Sequence, residues 1–238
     1  GLAMIEAFDD ARPRMTVAEA STATGIPRSA ARRYLLSLCH FGYAETDGKR
    51  FWLTPRVLRL GQSYLEAARM PRLVQPFIQR LSMATGETVN VSVLDGHEVV
   101  YVARSNSPRV VSIGFHAGAR VPAHVVSPGT VLLAALPEEA LRAWVAGHEF
   151  GVFSANTVVD REAFLEQVLA ARGQDAWISR GRLDAGLVGV AVRLTDRRGE
   201  TRAAIGMTLQ AAFWDDARIG KELVPGLQET AALLRQIV

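Results

Sequence analysis

The sequence predicts an α+β protein: an N-terminal winged helix-turn-helix, a linker helix, and a C-terminal domain with a mostly antiparallel sheet flanked by helices. Three observations carry this. Between residues 16 and 53, a helix-capping signature, a glycine turn, a basic amphipathic helix and a basic hairpin follow one another in the order a winged helix requires. After Gly86 the hydrophobic period changes from about 3.6 to about 2, the change from helix to strand. The later segments mix hairpin-joined strands with helices and show no internal repeat, which fits antiparallel pairing with helices packed on the sheet. The expected boundaries are 1–55 for the winged helix, 56–70 for the linker helix and 71–238 for the second domain.

The chain opens inside a helical pattern, with Leu2, Ile5, Ala7 and Phe8 apolar and no initiator Met, so residues are expected ahead of Gly1. Thr16-Val17-Ala18-Glu19 fits the capping box, in which the Thr16 hydroxyl accepts from the amide three residues on and Glu19 reaches back to the Thr16 amide. A short helix to about Ala23 ends at Gly25, which can take the left-handed conformation that stops a helix. Pro27 then suits the first turn of a second helix that runs to about Cys39. Ala31, Tyr34, Leu35 and Leu38 share one face of it, while Arg28, Ser29, Arg32 and Arg33 share the other. Arginine forks grip phosphates or the O6/N7 edge of guanine, and a small Ser29 lets the backbone approach. The Asp47-Gly48 turn between two short strand-like runs is a hairpin signal that puts Lys49 and Arg50 at a wing tip. The candidate DNA-contacting set is Thr16, Arg28, Ser29, Arg32, Arg33, Lys49 and Arg50. An ordinary amphipathic helix pair with solvated arginines is the competing account of the same residues.

Charge agrees with this reading. Residues 1–69 hold ten Lys/Arg against seven Asp/Glu, the remainder holds seventeen of each, and no acid lies between Glu19 and Glu45. A basic excess confined to one module is the electrostatic footprint of nucleic-acid binding. Hydrophobic residues make up 49% of the chain, enough for a substantial core. No apolar run is long enough to span a membrane, and the start lacks the basic and cleavage features of a signal peptide. The single Cys39 excludes an internal disulfide and a Cys-rich zinc site, and a reducing cytoplasm fits.

The remaining elements follow in order. A helix is expected over 56–69, ended by Met70-Pro71, and another over 73–85, closed by Gly86. Residues 89–95 and 98–104 alternate as strands joined by Asp95-Gly96, and 110–114 reads as a third strand. Pro128-Gly129 precedes a helix expected from about Thr130 to Leu136. Further helices are expected over 137–146 and 161–172, a short strand over 177–179, long strands over 188–194 and 202–209, and a final helix over 216–238.

Arg104 is suited to hold a ligand carboxylate by a two-pronged hydrogen bond, and equally to sit at the surface end of a strand. His124 is suited to donate to a phenol or carboxylate, or to bond the backbone. The other histidines are scattered, so no metal site is expected. There is no G-x-S-x-G, no P-loop and no G-x-G-x-x-G after a strand; Gly186 to Gly189 reads as strand. An enzyme and a bound cofactor are therefore not expected.

The segments GLAMIEAFD, PRSAARRYLLSL, GYAETDGKRFWLTPRVLRLG, SVLDGHEVVYVAR, LLAALPEEAL and GLVGVAVRLTDRRGE together resemble the IclR family of bacterial transcription regulators over essentially the whole length. The N-terminal half is most similar to the subgroup that governs aromatic-acid breakdown. The resemblance implies a GAF-like effector-binding domain, pairing into dimers or dimers of dimers on a palindromic operator, and a small carboxylic acid as effector. It implies a pocket on the concave face of the sheet, with Ser127, Pro128 and Gly129 before a helix, Ser179 on a short strand, and Gly189, Gly206 and Thr208 on the two long strands. Where family members usually carry an acid, this chain has Ser179, and where they often carry a base it has Thr130. Losing a carboxylate and gaining Arg180 and Arg182 favours an anionic ligand, if those arginines face the cavity and not solvent. Gly189 and Gly206 leave room for a larger ligand, such as an aromatic acid or an intermediate of the β-ketoadipate pathway. The expected function is an effector-controlled DNA-binding regulator; the alternative is a GAF-like sensor acting through protein partners, with the winged helix as a dimerisation module.

Overall fold

The computed structural model describes residues 1–105 and 116–238, so the strand expected over 110–114 lies outside the described residues. The chain divides into two compact units, Gly1–Ala67 and Ala68–Val238.

The first unit is a winged helix-turn-helix. It contains α1 (Leu2–Glu6), β1 (Met15–Thr16), α2 (Val17–Thr24), α3 (Arg28–His40), β2 (Ala44–Thr46), β3 (Arg50–Leu53) and α4 (Leu58–Ala67). Both arms of the capping box form: the Glu19 amide donates to Thr16 Oγ1 at 3.3 Å, and the Thr16 amide donates to Glu19 Oε2 at 2.7 Å. Gly25 ends α2 with φ of +69°. Pro27 is the cap of α3, one residue before the first helical position. Strands pair in the order β1-β3-β2, all antiparallel. Met4, Met15, Ala20, Ala31, Leu35 and Phe51 form the small core. Tyr34, expected on the buried face of α3, is 42% exposed; Ala31 and Leu35 are the residues this core takes from the helix, with Leu38 at its edge.

The second unit begins with α5 (Arg69–Thr85), and this corrects the expected break at Met70-Pro71. The break falls at Ala68, whose ψ is 115°. Pro71 lies in the first turn of α5, where a missing amide hydrogen costs nothing, so a residue read as a stop sits inside a start. The chain continues through β4 (Val89–Asp95), β5 (Glu98–Ser105), β6 (Arg120–Pro122), α6 (Ser127–Ala134), α7 (Glu138–Gly147), α8 (Arg161–Ala171), β7 (Trp177–Arg180), β8 (Leu187–Thr195), β9 (Thr201–Gln210), α9 (Asp216–Glu222) and α10 (Val224–Leu234). The single final helix expected over 216–238 is thus two helices, broken at Leu223 and restarted with Pro225 in the first turn of α10.

The six strands form one antiparallel sheet in the order β6-β5-β4-β9-β8-β7. Both faces are covered. Val89 and Val91 of β4, Val188, Val190, Val192 and Leu194 of β8, and the Ala203, Ile205, Met207, Leu209 series of β9 pack with Val74, Ile78 and Leu81 of α5 and Leu227, Ala231 and Leu234 of α10. The opposite face carries α6, α7 and α8, with Phe164, Val168, Leu133 and Leu141 buried among them. All eight residues of α6 are buried, which is why that segment is apolar on every side.

Ser127, Pro128 and Gly129 were expected before this helix, but they form its first turn. Proline tolerates that position, and glycine is required there: a Cβ on Gly129 would lie 1.9 Å from the Ala123 carbonyl oxygen. Within a helix, Gly→Ala ordinarily stabilises by about 0.5–1 kcal/mol. Here the sign reverses, and Gly129→Ala is expected to destabilise the second unit by about 1–3 kcal/mol through overpacking. Urea unfolding measures this, and an unchanged or raised midpoint would show that the start of α6 is free to shift.

Candidate functional site

A cavity opens where the α6 face of the sheet loses its apolar residues. Its cavity volume is about 40 Å³, within about 470 Å³ of non-atom space that includes open solvent. Its floor is built by cross-strand neighbours. Ser179 of β7 pairs with Gly189 of β8, which pairs with Thr208 of β9. Asn90 of β4 pairs with Gly206 of β9. Tyr101 of β5 joins them from beside Ser92, at the point where the β4–β5 register shifts by an extra residue. Val125, Val126, Ser127 and Pro128 form a second wall, and Arg182, Leu183 and Leu187 close the side beyond β7.

Of the nine effector residues expected from sequence, Ser127, Pro128, Ser179, Gly189, Gly206 and Thr208 line this cavity. Gly129, Arg104 and His124 do not. Gly129 is used in packing against Ala123. Arg104 is half-buried at the end of β5, its carbonyl accepting from Gln75 Nε2 at 3.0 Å and its guanidinium close enough to Tyr101 for the two to interact electrostatically. His124 is fully buried with both ring nitrogens engaged elsewhere. The two glycines were expected to widen the floor, yet each also permits a close approach. A Cβ on Gly189 would come within 2.7 Å of Ser127 Oγ, and one on Gly206 within 2.5 Å of the Val190 carbonyl oxygen.

The two arginines separate. Arg180 turns outward, with Nη2 donating to Asp216 Oδ1 at 2.6 Å and to the Trp214 carbonyl at 2.8 Å. Arg182 turns inward and is among the residues that line the cavity. Its Nη2 donates to Gln167 Oε1, and its Nη1 is buried with no partner among the described residues. Burial pulls its pKa below the ordinary arginine value, but a guanidinium stays charged at neutral pH. Two more buried cavity atoms, Asn90 Oδ1 and Ser179 Oγ, also lack partners among the described residues. Buried polar atoms are almost always paired, and these three unpartnered ones all belong to residues that line the cavity. Tyr101 is 2% exposed, and burial pushes its phenol up to about 12, so it keeps its proton.

Asn90 and Tyr101 escaped the sequence reading. Asn90 alternates with Val89 and Val91, the pattern of a strand with one wet face, but it is only 3% exposed because this sheet is covered on both sides. Nothing in the local sequence separates a buried polar row from a solvated one.

Beside the cavity, His124 and His148 form a buried pair. His124 Nε2 donates to the Gly151 carbonyl at 3.0 Å, which leaves Nδ1 to accept from His148 Nε2 at 2.7 Å. His148 stacks on Trp144 with ring centroids 4.3 Å apart, and its Nδ1 is buried without a partner among the described residues. Burial, then His124, His97 and Arg161, pull the His148 pKa down to about 4, and burial also lowers that of His124. Both rings are neutral at physiological pH. No group of three or more His, Cys, Asp or Glu placed to hold a metal occurs among the described residues.

In the first unit, Arg28, Ser29, Arg32 and Arg33 are all exposed, on a helix that contains no acid. Lys49 and Arg50 are exposed at the wing, whose tip is closed by hydrogen bonds: Asp47 Oδ1 accepts from the Lys49 and Arg50 amides at 2.9 and 2.7 Å, and those bonds hold the carboxyl below its ordinary pKa. Thr16 is half-buried with its hydroxyl committed to the cap of α2. Arg14 stacks on Trp52 at 4.2 Å beside this wing.

Comparison with known proteins joins the two units in one architecture. A family model described as the IclR helix-turn-helix domain matches residues 1–48, and one described as bacterial transcriptional regulator IclR C-terminal matches residues 62–235. The p-hydroxybenzoate hydroxylase transcriptional activator of Acinetobacter baylyi is 40% identical over 243 residues, which span 100% of this chain and 90% of the relative. A crystal structure described as a transcriptional regulator from Rhodococcus sp. RHA1 is 36% identical with a TM-score of 0.83, covering 98% of this chain and 94% of that one. The inducer-binding domain of the PobR transcription factor from Acinetobacter, a double mutant in complex with 3-hydroxybenzoic acid, is 34% identical with a TM-score of 0.68, covering 72% of this chain and 100% of that one.

The neutral histidine pair generates a pH prediction. The folded pKa of His148 lies below the unfolded value of about 6.5, so the unfolded chain takes up the proton first. The contribution is fully present above about pH 6.5 and is lost as pH falls toward the folded value of about 4. The urea midpoint is expected to drop across that window in the wild type and to drop less in His148→Phe. Parallel curves for the two proteins would remove His148 from the acid sensitivity.

Proposed function

The chain belongs to the IclR family of bacterial transcriptional regulators and is a DNA-binding regulator controlled by a small-molecule effector; we propose that this effector is a hydroxylated aromatic monocarboxylic acid whose carboxylate is held by Arg182. The unpartnered, buried Nη1 of Arg182 carries the reading, because an uncompensated guanidinium at a cavity wall calls for an anion that accepts from it. The first two residues of α6 line the same cavity, so the positive end of that helix also favours negative charge there. The proton kept by Tyr101 and the orphan acceptors on Asn90 and Ser179 suit the ring hydroxyl. A relative at 34% identity bound to 3-hydroxybenzoic acid supports the same chemical class.

The cavity binds and does not react. Ser127 Oγ accepts from the Ser179 amide at 3.2 Å, and neither ring nitrogen of His124 is free to serve it as a base. No helix is long and apolar enough to cross a membrane among the described residues, and the reading places the protein in the cytoplasm with its DNA. Arg28, Ser29, Arg32 and Arg33 act as the major-groove face, with Lys49 and Arg50 on the adjacent backbone; Thr16 contributes through the capped start of α2. Residues 56–70 serve as the linker, and the exposed apolar Leu60 and Tyr64, at i and i+4 on α4, supply a face for a second copy on a palindromic operator, as a dimer or a dimer of dimers.

Arg32→Ala is expected to weaken operator binding by about 1–3 kcal/mol if the side chain reads a base. Fluorescence anisotropy on the operator measures it, and unchanged affinity would take Arg32 out of recognition. A thermal-shift series with 4-hydroxybenzoate, protocatechuate, cis,cis-muconate, β-ketoadipate, pyruvate and glyoxylate tests the effector. Ring acids are expected to raise the melting temperature, with about 2.7 kcal/mol of added stability at a hundredfold excess over Kd, and Arg182→Met is expected to abolish the rise. A shift with pyruvate or glyoxylate alone would overturn the aromatic assignment.

A further inference from the structure

We propose that Gln167 is a specificity-determining residue of this cavity: a neutral amide that holds one arm of Arg182 without cancelling its charge, so that ring carboxylates are selected over their uncharged amides. The proposal rests on the effector reading above and deepens it.

Arg182 is fixed at both ends. Its carbonyl accepts from Thr157 Oγ1 at 2.7 Å and from Ser154 Oγ at 3.2 Å, and Gly181 before it takes a φ of +67°. At the far end, Gln167 on α8 accepts from Nη2 between the buried Phe164 and Val168. An arginine held in this way loses little further freedom on binding a ligand, which is the physical content of preorganisation.

Charge is what makes the amide matter. No carboxylate pairs with Arg182 among the described residues, and residues 106–115 contain no Asp or Glu at all. The neighbouring histidine pair is neutral, so the positive charge of Arg182 is left for the ligand. A glutamate of nearly the same shape at position 167 would give the guanidinium a permanent partner in a low-dielectric site. An incoming carboxylate would then have to approach an already neutralised group beside a like charge. Specificity is a difference of affinities, and here one oxygen-for-nitrogen exchange changes its sign-bearing part while leaving the shape of the wall intact.

The test is isothermal titration of the full chain with 4-hydroxybenzoate and its uncharged analogue 4-hydroxybenzamide. Wild type is expected to prefer the acid. Gln167→Glu is expected to lower acid affinity by at least about tenfold, the scale of one unit of opposite-charge pairing, while leaving the amide within about threefold. Gln167→Met, neutral but unable to hold the guanidinium, is expected to lose acid affinity by a smaller factor with the amide unchanged, and it decides the matter if the glutamate variant does not fold. Equal losses for acid and amide, or acid affinity unchanged in either variant, would overturn the role of Gln167. A wild type that binds neither probe nor any ring acid would overturn the effector reading and this inference with it, and is distinguished by failing before any substitution is made.

Discussion

The effector domain depends on how closely the first turn of α6 can approach the sheet. Ser127 Oγ occupies space that a side chain on Gly189 would fill, and from there accepts the Ser179 amide on the neighbouring strand. Gly129 lies against the Ala123 carbonyl within the same turn. These contacts pin a helix start and the strand that ends the sheet at a fixed separation. The cavity is the volume left where the floor next to that pin is made of Asn90, Gly206 and Thr208 in place of apolar side chains. A side chain at Gly189 would displace the Ser127 hydroxyl and its bond from the Ser179 amide, so the same glycine serves packing and ligand space together.

The winged helix was legible from sequence because its signals are local. A capping box, a glycine with positive φ and an Asp-Gly hairpin each act over four residues or fewer, and each formed as read. Where helix boundaries slipped, proline was the cause. Pro71, Pro128 and Pro225 all sit in first turns, so residues taken as boundaries lie inside helices, or restart one in the middle of a predicted span. A proline reports that its own amide is not needed, and that is equally true just after a helix begins and just after one ends. Tyr34 slipped for a different reason: the helical period identifies a face, but the size of the neighbouring core decides how much of that face is covered.

The cavity was half legible. The resemblance to a family brought out the small residues of the floor, since glycines on long strands and a Ser-Pro-Gly turn are distinctive. It could not separate Arg180 from Arg182, two residues apart, one bound to Asp216 and the other facing the cavity. That difference depends on what the fold brings next to each, Asp216 from α9 in one case and Gln167 from α8 in the other, and neither is near in sequence. His124 illustrates the reverse: a residue adjacent to the wall whose chemistry is used up by its own partners.

The cavity and the α5–α10 layer meet through alternation along single strands. On β4, Asn90 faces the cavity, while Val89 and Val91 on either side of it pack toward α5, which starts at Arg69, where the second unit begins. On β9, Gly206 and Thr208 line the cavity while Ile205 and Leu209 face the same packed layer of α5 and α10, and Met207 belongs to both. A ligand that repositions one face of such a strand must disturb the other, because close-packed interiors transmit displacement and do not absorb it. The ligand can bias DNA binding only by as much as it prefers one arrangement of this sheet over another. In the proposed reading, the guanidinium of Arg182, with Nη1 unpartnered among the described residues, is the group through which an effector carboxylate would exert that preference.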